Sequence, residues 1–114
     1  METVLRGAKA TVVISRGGPT VIIGERINPT GRKKLAAALA AGDLSIVRRE
    51  AIKQVAEGAD VIDVNVGAAG VDEVGLLPEA VKVVAAAVDV PLCIDTANPK
   101  ALAEALKSAL AARW

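Results

Sequence analysis

Carboxylates and carboxamides recur at three points in this sequence, each at the end of an apolar, β-branched run. They are Glu25 and Asn28 after the first run, Asp63 and Asn65 at the end of the second, and Asp95, Thr96 and Asn98 after the third. If the three runs are parallel strands, their carboxyl ends lie at one edge of a sheet, where parallel α/β folds bind ligands. The spacing therefore predicts one shared polar rim.

These residue types restrict the chemistry of that rim. The chain has no histidine and one cysteine, Cys93, which makes a zinc site improbable on donor type and leaves no imidazole base. Cys93 lies in an apolar run and is interpreted as a small buried hydrophobe. A carboxylate can accept hydrogen bonds from an amino group and a neighbouring ring N–H together, and an Asn amide both donates and accepts. A flat heterocycle such as a pterin or a guanine presents that edge, and the residues alone do not separate the two.

Strand and helix patterns alternate along the chain. The predicted strands are Thr11–Ser15 and Thr20–Ile23, forming a hairpin around Gly17-Gly18, then Val61–Val66 and Pro91–Ile94. The predicted helices are Arg32–Ala41, a second one capped by Asp43 or Ser45 and running to about Glu57, Leu76–Val88 with Pro78 near its first turn, and Pro99 to about Ala112 behind an Asn98 cap. Strands that alternate with helices indicate βαβ units, so we expect an α/β fold with parallel strands.

Composition supports a folded domain with an aliphatic core. Hydrophobic residues make up 53% of the 114 residues, and Trp114 is the single aromatic residue. A net charge of +1 gives no electrostatic footprint for nucleic acid or an anionic membrane. Because the sequence also shows no export signal and no apolar run of roughly 18 residues, a cytoplasmic location is expected.

Three segments resemble the first strand-end motifs of the pterin-binding methyltransferases. They are Gly24-Glu25-Arg26-Ile27-Asn28-Pro29-Thr30-Gly31, Gly58-Ala59-Asp60-Val61-Ile62-Asp63-Val64-Asn65-Val66-Gly67 and Pro91-Leu92-Cys93-Ile94-Asp95-Thr96-Ala97-Asn98-Pro99. The pattern is most similar to the methyltetrahydrofolate:corrinoid/iron–sulfur protein methyltransferase type. It is also shared by the folate domain of cobalamin-dependent methionine synthase and, more distantly, by dihydropteroate synthase.

The resemblance implies a fold and a reaction. The family fold is a (β/α)₈ TIM barrel of about 250 residues, so residues 1–114 would be its N-terminal part, preceded by the short hairpin. The family binds the pterin of methyltetrahydrofolate in the barrel mouth and passes the N5 methyl group to cobalamin on a partner corrinoid protein. By position, Asp95 would bind the amino-pyrimidine edge with Thr96 beside it, Asp63 and Asn65 would line the mouth, and Glu25 and Asn28 would belong to a partly structural loop. The family's N5-activating Asn comes from a later strand, so no catalytic residue is predicted here.

Other interpretations of the same residues remain open. Asp95 could cap a turn, Asn98 could be a helix cap, Glu25 could form an ion pair with Arg26, and Asp63 with Asn65 could face a wet interior without binding anything. A partial barrel has open strand edges that recruit other chains, so a homo-oligomer or a second chain completing the barrel is expected. The alternative functions are a non-catalytic half-barrel that completes a partner, and a small open α/β enzyme of flavodoxin-like shape.

Overall fold

A computed structural model of the chain describes residues 2–6, 11–15 and 20–113, with side chains described for residues 20–109. The elements in chain order are β1 (Glu2–Arg6), β2 (Thr11–Ser15), β3 (Ile23–Ile27), α1 (Lys33–Ala40), α2 (Ser45–Ala56), β4 (Val61–Val64), α3 (Glu73–Ala87), β5 (Leu92–Ile94) and α4 (Pro99–Arg113). From β3 onward, each strand is followed by at least one helix before the next strand begins. This order matches the alternation expected from the sequence.

The strands β3, β4 and β5 form a parallel sheet in that spatial order. Gly24 and Leu92 both pair with Ile62 on the central strand, and Cys93 pairs with Asp63. The register of β3 shifts between Gly24 and Ile27, so this strand carries an irregularity just before its polar loop. The α/β class with parallel strands is therefore confirmed, with three parallel strands and four helices.

The predicted N-terminal hairpin is not confirmed. The segment Thr11–Ser15 pairs antiparallel with Glu2–Arg6, from Glu2 opposite Ser15 to Arg6 opposite Thr11. The run expected as its partner, Thr20–Ile23, has no strand pairing before Ile23, where the parallel sheet begins. Residues 16–19, the expected turn, lie outside the described residues.

Helices cover one face of the sheet and enclose an aliphatic core. The largest fully buried side chains include Ile27, Leu35, Leu39, Val47, Ile62, Val64, Leu77, Val81 and Val84. Burial of this apolar area is the main driving force for folding, at roughly 25 cal/mol per Å² removed from water. None of the helices in the described ranges is long and apolar enough to cross a membrane.

The first residues of α3 and α4 determine where the loops after β4 and β5 end. Helix α3 begins at Glu73, behind an Asp72 cap whose carboxylate accepts from the Gly75 amide at 3.3 Å, so the predicted start at Leu76 is wrong. Pro78 consequently lies in the second turn, where it costs an internal hydrogen bond. The predicted Asn98 cap of α4 is confirmed, since Asn98 Oδ1 accepts from the amides of Lys100 at 3.0 Å and Ala101 at 3.2 Å.

Candidate functional site

Strand alternation places the polar residues of β4 and β5 on the sheet face opposite the helices. A Cβ on Gly24 would meet the Gln54 side chain of α2, and Ile62 beside it belongs to the helix-covered core. Side chains one residue along a strand point the other way, so Asp63 and Cys93 lie on the opposite face. This face, together with the strand ends that continue it, contains the candidate site.

Asn65 and Asp95 contact each other at the strand ends. Asn65 Nδ2 donates to Asp95 Oδ2 at 3.3 Å, while Asn65 Oδ1 accepts from the Gly67 amide at 2.8 Å. The second bond fixes the orientation of the carboxamide, because only its oxygen can accept from an N–H. The Asp95 carboxylate is exposed and keeps acceptor capacity for a ligand.

Asp63 and Cys93 are neighbours on the same face of the sheet, where Asp63 is buried and Cys93 is exposed. Asp63 is 8% exposed, and burial raises the pKa of its carboxyl. The hydrogen bond from the Cys93 thiol lowers this pKa, whereas the negative charges of Asp95 and Glu25 raise it further. Burial against the sheet, the hydrogen bond to Asp63 and the same carboxylates raise the pKa of Cys93 to about 11. The predicted buried position of Cys93 is wrong, because its side chain is exposed on the face that the helices leave open.

The end of β3 and the loop after it are held by residues of α2. Gln54 Oε1 accepts from the Arg26 amide at 2.9 Å, and Glu50 lies 3.9 Å from Arg26 Nε and 3.2 Å from Arg32 Nη2. Arg32 Nη1 also donates to the Arg26 carbonyl. The structure thus pairs Arg26 with Glu50 and not with Glu25, which has no ion pair among the side chains of residues 20–109.

Glu25 lies within β3 and not after the first strand as the sequence pattern predicts, whereas Asn28 lies in the loop that follows. Glu25 is exposed and close enough for its charge to act on Asp63 and Cys93. Asn28 instead folds its side chain back on the loop, with Oδ1 accepting from the Thr30 amide at 3.0 Å. The geometry brings Glu25 to the sheet face that carries Asp63 and Cys93, and it gives Asn28 a contact that stabilises the turn.

Thr96 is held in place by Glu73, a residue that the sequence pattern does not indicate. Its hydroxyl donates to Glu73 Oε2 at 2.6 Å and accepts from the Asn98 amide at 3.1 Å. The sequence pattern does not indicate Glu73, because it places this residue in the loop before α3. Asp72, a favourable N-cap residue, was the available signal that the helix starts here and that Glu73 lies at its first position.

The donor set of the face suits an organic ligand. Within residues 20–109, no three Asp, Glu or Cys side chains are grouped so that they could hold a metal ion. Asn65 donates to the Asp95 carboxylate, and Thr96, the next residue along the chain, is held in place by Glu73. Such an arrangement can accept hydrogen bonds from adjacent N–H groups on one edge of a flat ring.

Comparison with known proteins identifies the family of the chain. The pterin binding enzyme family model matches residues 24–114, which begin within β3 and include all three strand ends, and the chain belongs to that family. It is also 38% identical over 85 residues to the methylcorrinoid:tetrahydrofolate methyltransferase of Eubacterium limosum. That match covers 72% of this chain and 30% of the relative, so the chain spans less than a third of the length of the protein it resembles.

Proposed function

We propose that this chain forms the pterin-binding, N-terminal portion of a (β/α)₈ barrel methyltransferase that exchanges the N5 methyl group of methyltetrahydrofolate with cobalamin on a corrinoid protein. The observation that carries the proposal is the convergence of Asp63, Asn65 and Asp95 at the carboxyl ends of two adjacent parallel strands. Membership of the pterin binding enzyme family supports the ligand class over a guanine.

The proposed contacts follow from hydrogen-bond complementarity. The amino-pyrimidine edge of a pterin offers an amino group and a ring N–H, and the free acceptor positions of Asp95 receive them, with Thr96 beside them. Asp63 and Asn65 line the same face, and Glu25 adds a negative charge that acts on Asp63. Asn28 has a structural role in this proposal, because its oxygen already accepts from Thr30.

The direction of methyl transfer is a separate question from pterin binding. The sequence resemblance implied transfer from methyltetrahydrofolate to the corrinoid, whereas the name of the Eubacterium limosum relative states transfer from a methylcorrinoid to tetrahydrofolate. One site serves both directions, since stabilising the shared transition state accelerates the reaction either way. No described residue is assigned to N5 chemistry, so the proposal for this chain is binding and orientation of the pterin.

Calorimetric titration of the chain with methyltetrahydrofolate tests the proposal. We expect weak binding by the wild type, no detectable binding by Asp95→Ala, and about tenfold weaker binding by Asp95→Asn, which loses the charge but keeps the shape. Asp89→Ala is the matched control, because Asp89 is an exposed carboxylate just before the opposite end of β5. Its affinity should equal that of the wild type.

Competition and assembly measurements distinguish the alternatives. Guanosine monophosphate should not displace methyltetrahydrofolate, and displacement at equal concentration would favour a guanine site. Equal affinity of Asp95→Ala and the wild type would overturn the assignment of the site. A folded chain that binds no pterin at any concentration would favour the non-catalytic half-barrel that completes a partner.

A further inference from the structure

Glu73 connects the loops after β4 and β5. One of its carboxylate oxygens accepts from the Thr96 hydroxyl at 2.6 Å, and the other would lie 3.0 Å from a Cβ built on Gly67. The same Cβ would lie 3.3 Å from Asn65 Oδ1, so Gly67 packs closely between Asn65 and Glu73. Glu73 therefore contacts Thr96, the residue that follows Asp95, and closely approaches Gly67, whose amide donates to Asn65.

The hydrogen bonds of Thr96 determine what its hydroxyl can offer a ligand. A hydroxyl has one proton and two acceptor positions. The proton is donated to Glu73 Oε2, and one acceptor position is filled by the Asn98 amide. Since a carboxylate is the strongest acceptor available to this proton, Thr96 has one acceptor position left and no donor.

We propose that Glu73 is a positioning residue that makes Thr96 an acceptor-only group and thereby favours ligands with N–H donors on the edge facing Asp95. This inference rests on the proposed function for the identity of the ligand, but the contact between Glu73 and Thr96 does not. Thr96 then adds an acceptor at the residue that directly follows Asp95. A pteridine with a 2-oxo group in place of the 2-amino group places an acceptor against acceptors and is disfavoured.

Binding measured in a double-mutant cycle tests how Glu73 acts. We expect Glu73→Ala to weaken methyltetrahydrofolate binding by about tenfold and to reduce the preference for the 2-amino over the 2-oxo pteridine. In the Thr96→Val background, Glu73→Ala should have no further effect on affinity, because the group through which it acts is gone. Thr96→Ser keeps the hydroxyl and should retain wild-type affinity. Additive losses would show that Glu73 acts only through the stability of α3.

A measurement without ligand separates this inference from the proposed function. Hydrogen exchange of the Asn98 amide reports whether the Thr96 oxygen stays in place to accept it. We expect exchange about tenfold faster in both Glu73→Ala and Thr96→Val, with little change in the Asn98-capped amide of Lys100. Unchanged Asn98 exchange in Glu73→Ala would overturn the positioning role even if pterin binds. Faster exchange in a chain that binds no pterin would uphold the role and reject the proposed ligand.

Discussion

The Cys93 thiol and the Asp63 carboxylate face each other across β4 and β5, and each changes the chemistry of the other. The thiol donates to the carboxylate, which opposes the rise of the Asp63 pKa caused by burial. The carboxylate in turn disfavours a second negative charge beside it and helps to raise the pKa of Cys93 to about 11. An exposed cysteine is thereby kept as a thiol up to a higher pH than an ordinary cysteine.

Alkylation of Cys93 measures this coupling directly. With a pKa of about 11, roughly one thiol in a hundred is ionised two pH units lower, so reaction with iodoacetamide should stay slow from about pH 7 to about pH 9 and rise steeply above that range. Asp63→Asn removes the neighbouring charge and should shift the rate profile to lower pH. Asp89→Asn, a change remote from the thiol, should leave the profile in place. A profile that is the same for Asp63→Asn and wild type would show that Asp63 does not contribute to the raised pKa of Cys93.

At the scale of the elements, the close approach of β3 to α2 depends on Gly24. A Cβ at this position would lie 2.5 Å from Gln54 Oε1 and 2.9 Å from Gln54 Cδ. Gln54 is buried and cannot swing away without losing its bond to the Arg26 amide, which holds the first strand-end loop. The glycine therefore permits both the helix packing and the loop geometry.

Substitution of Gly24 should consequently destabilise the fold. We expect Gly24→Ala to lower the free energy of unfolding by about 1–3 kcal/mol, the usual cost of overpacking a well-filled core, as measured by urea denaturation. Gln54→Ala creates space but leaves the Arg26 amide without its acceptor. The double variant should lose less stability than the sum of the two single variants, because the clash disappears. Strict additivity would mean that the two side chains do not compete for the same space.

The elements also show what the sequence could and could not predict. Periodicity and turn residues predict β4, β5 and the Asn98 cap, because those signals are local, whereas the first parallel strand, predicted at Thr20–Ile23, is Ile23–Ile27. Helix α3 starts three residues before the predicted Leu76, because Pro78 favours a first turn near Leu76 whereas Asp72 caps the helix earlier. The missed contact between Glu73 and Thr96 joins residues 23 positions apart and follows only from the packing of the two loops. The hairpin pattern pairs Thr11–Ser15 with Thr20–Ile23, because two short apolar runs lie on either side of Gly17-Gly18. In the structure, Thr11–Ser15 pairs with Glu2–Arg6 instead.

At the scale of the whole molecule, the sheet ends on both sides with a strand that has one neighbour. Among the described strands, β3 and β5 each pair only with β4. Ile22 and Ile23 are 53% and 45% exposed at the β3 edge, although such side chains are usually buried. Unpaired strand edges with exposed apolar side chains favour pairing with another chain.

We therefore expect this chain to self-associate through the β3 edge. Sedimentation velocity over a concentration series should show a rising average mass for the wild type, and Ile23→Lys should shift the association to higher concentration because a lysine at an edge opposes strand pairing. Ile52→Lys is the matched control, since Ile52 is a comparably exposed isoleucine, 38% accessible, on helix α2. If both lysine variants weaken association equally, general apolar contact and not the strand edge drives it. A wild-type chain that stays monomeric throughout the series would show that the open edge is tolerated in solution.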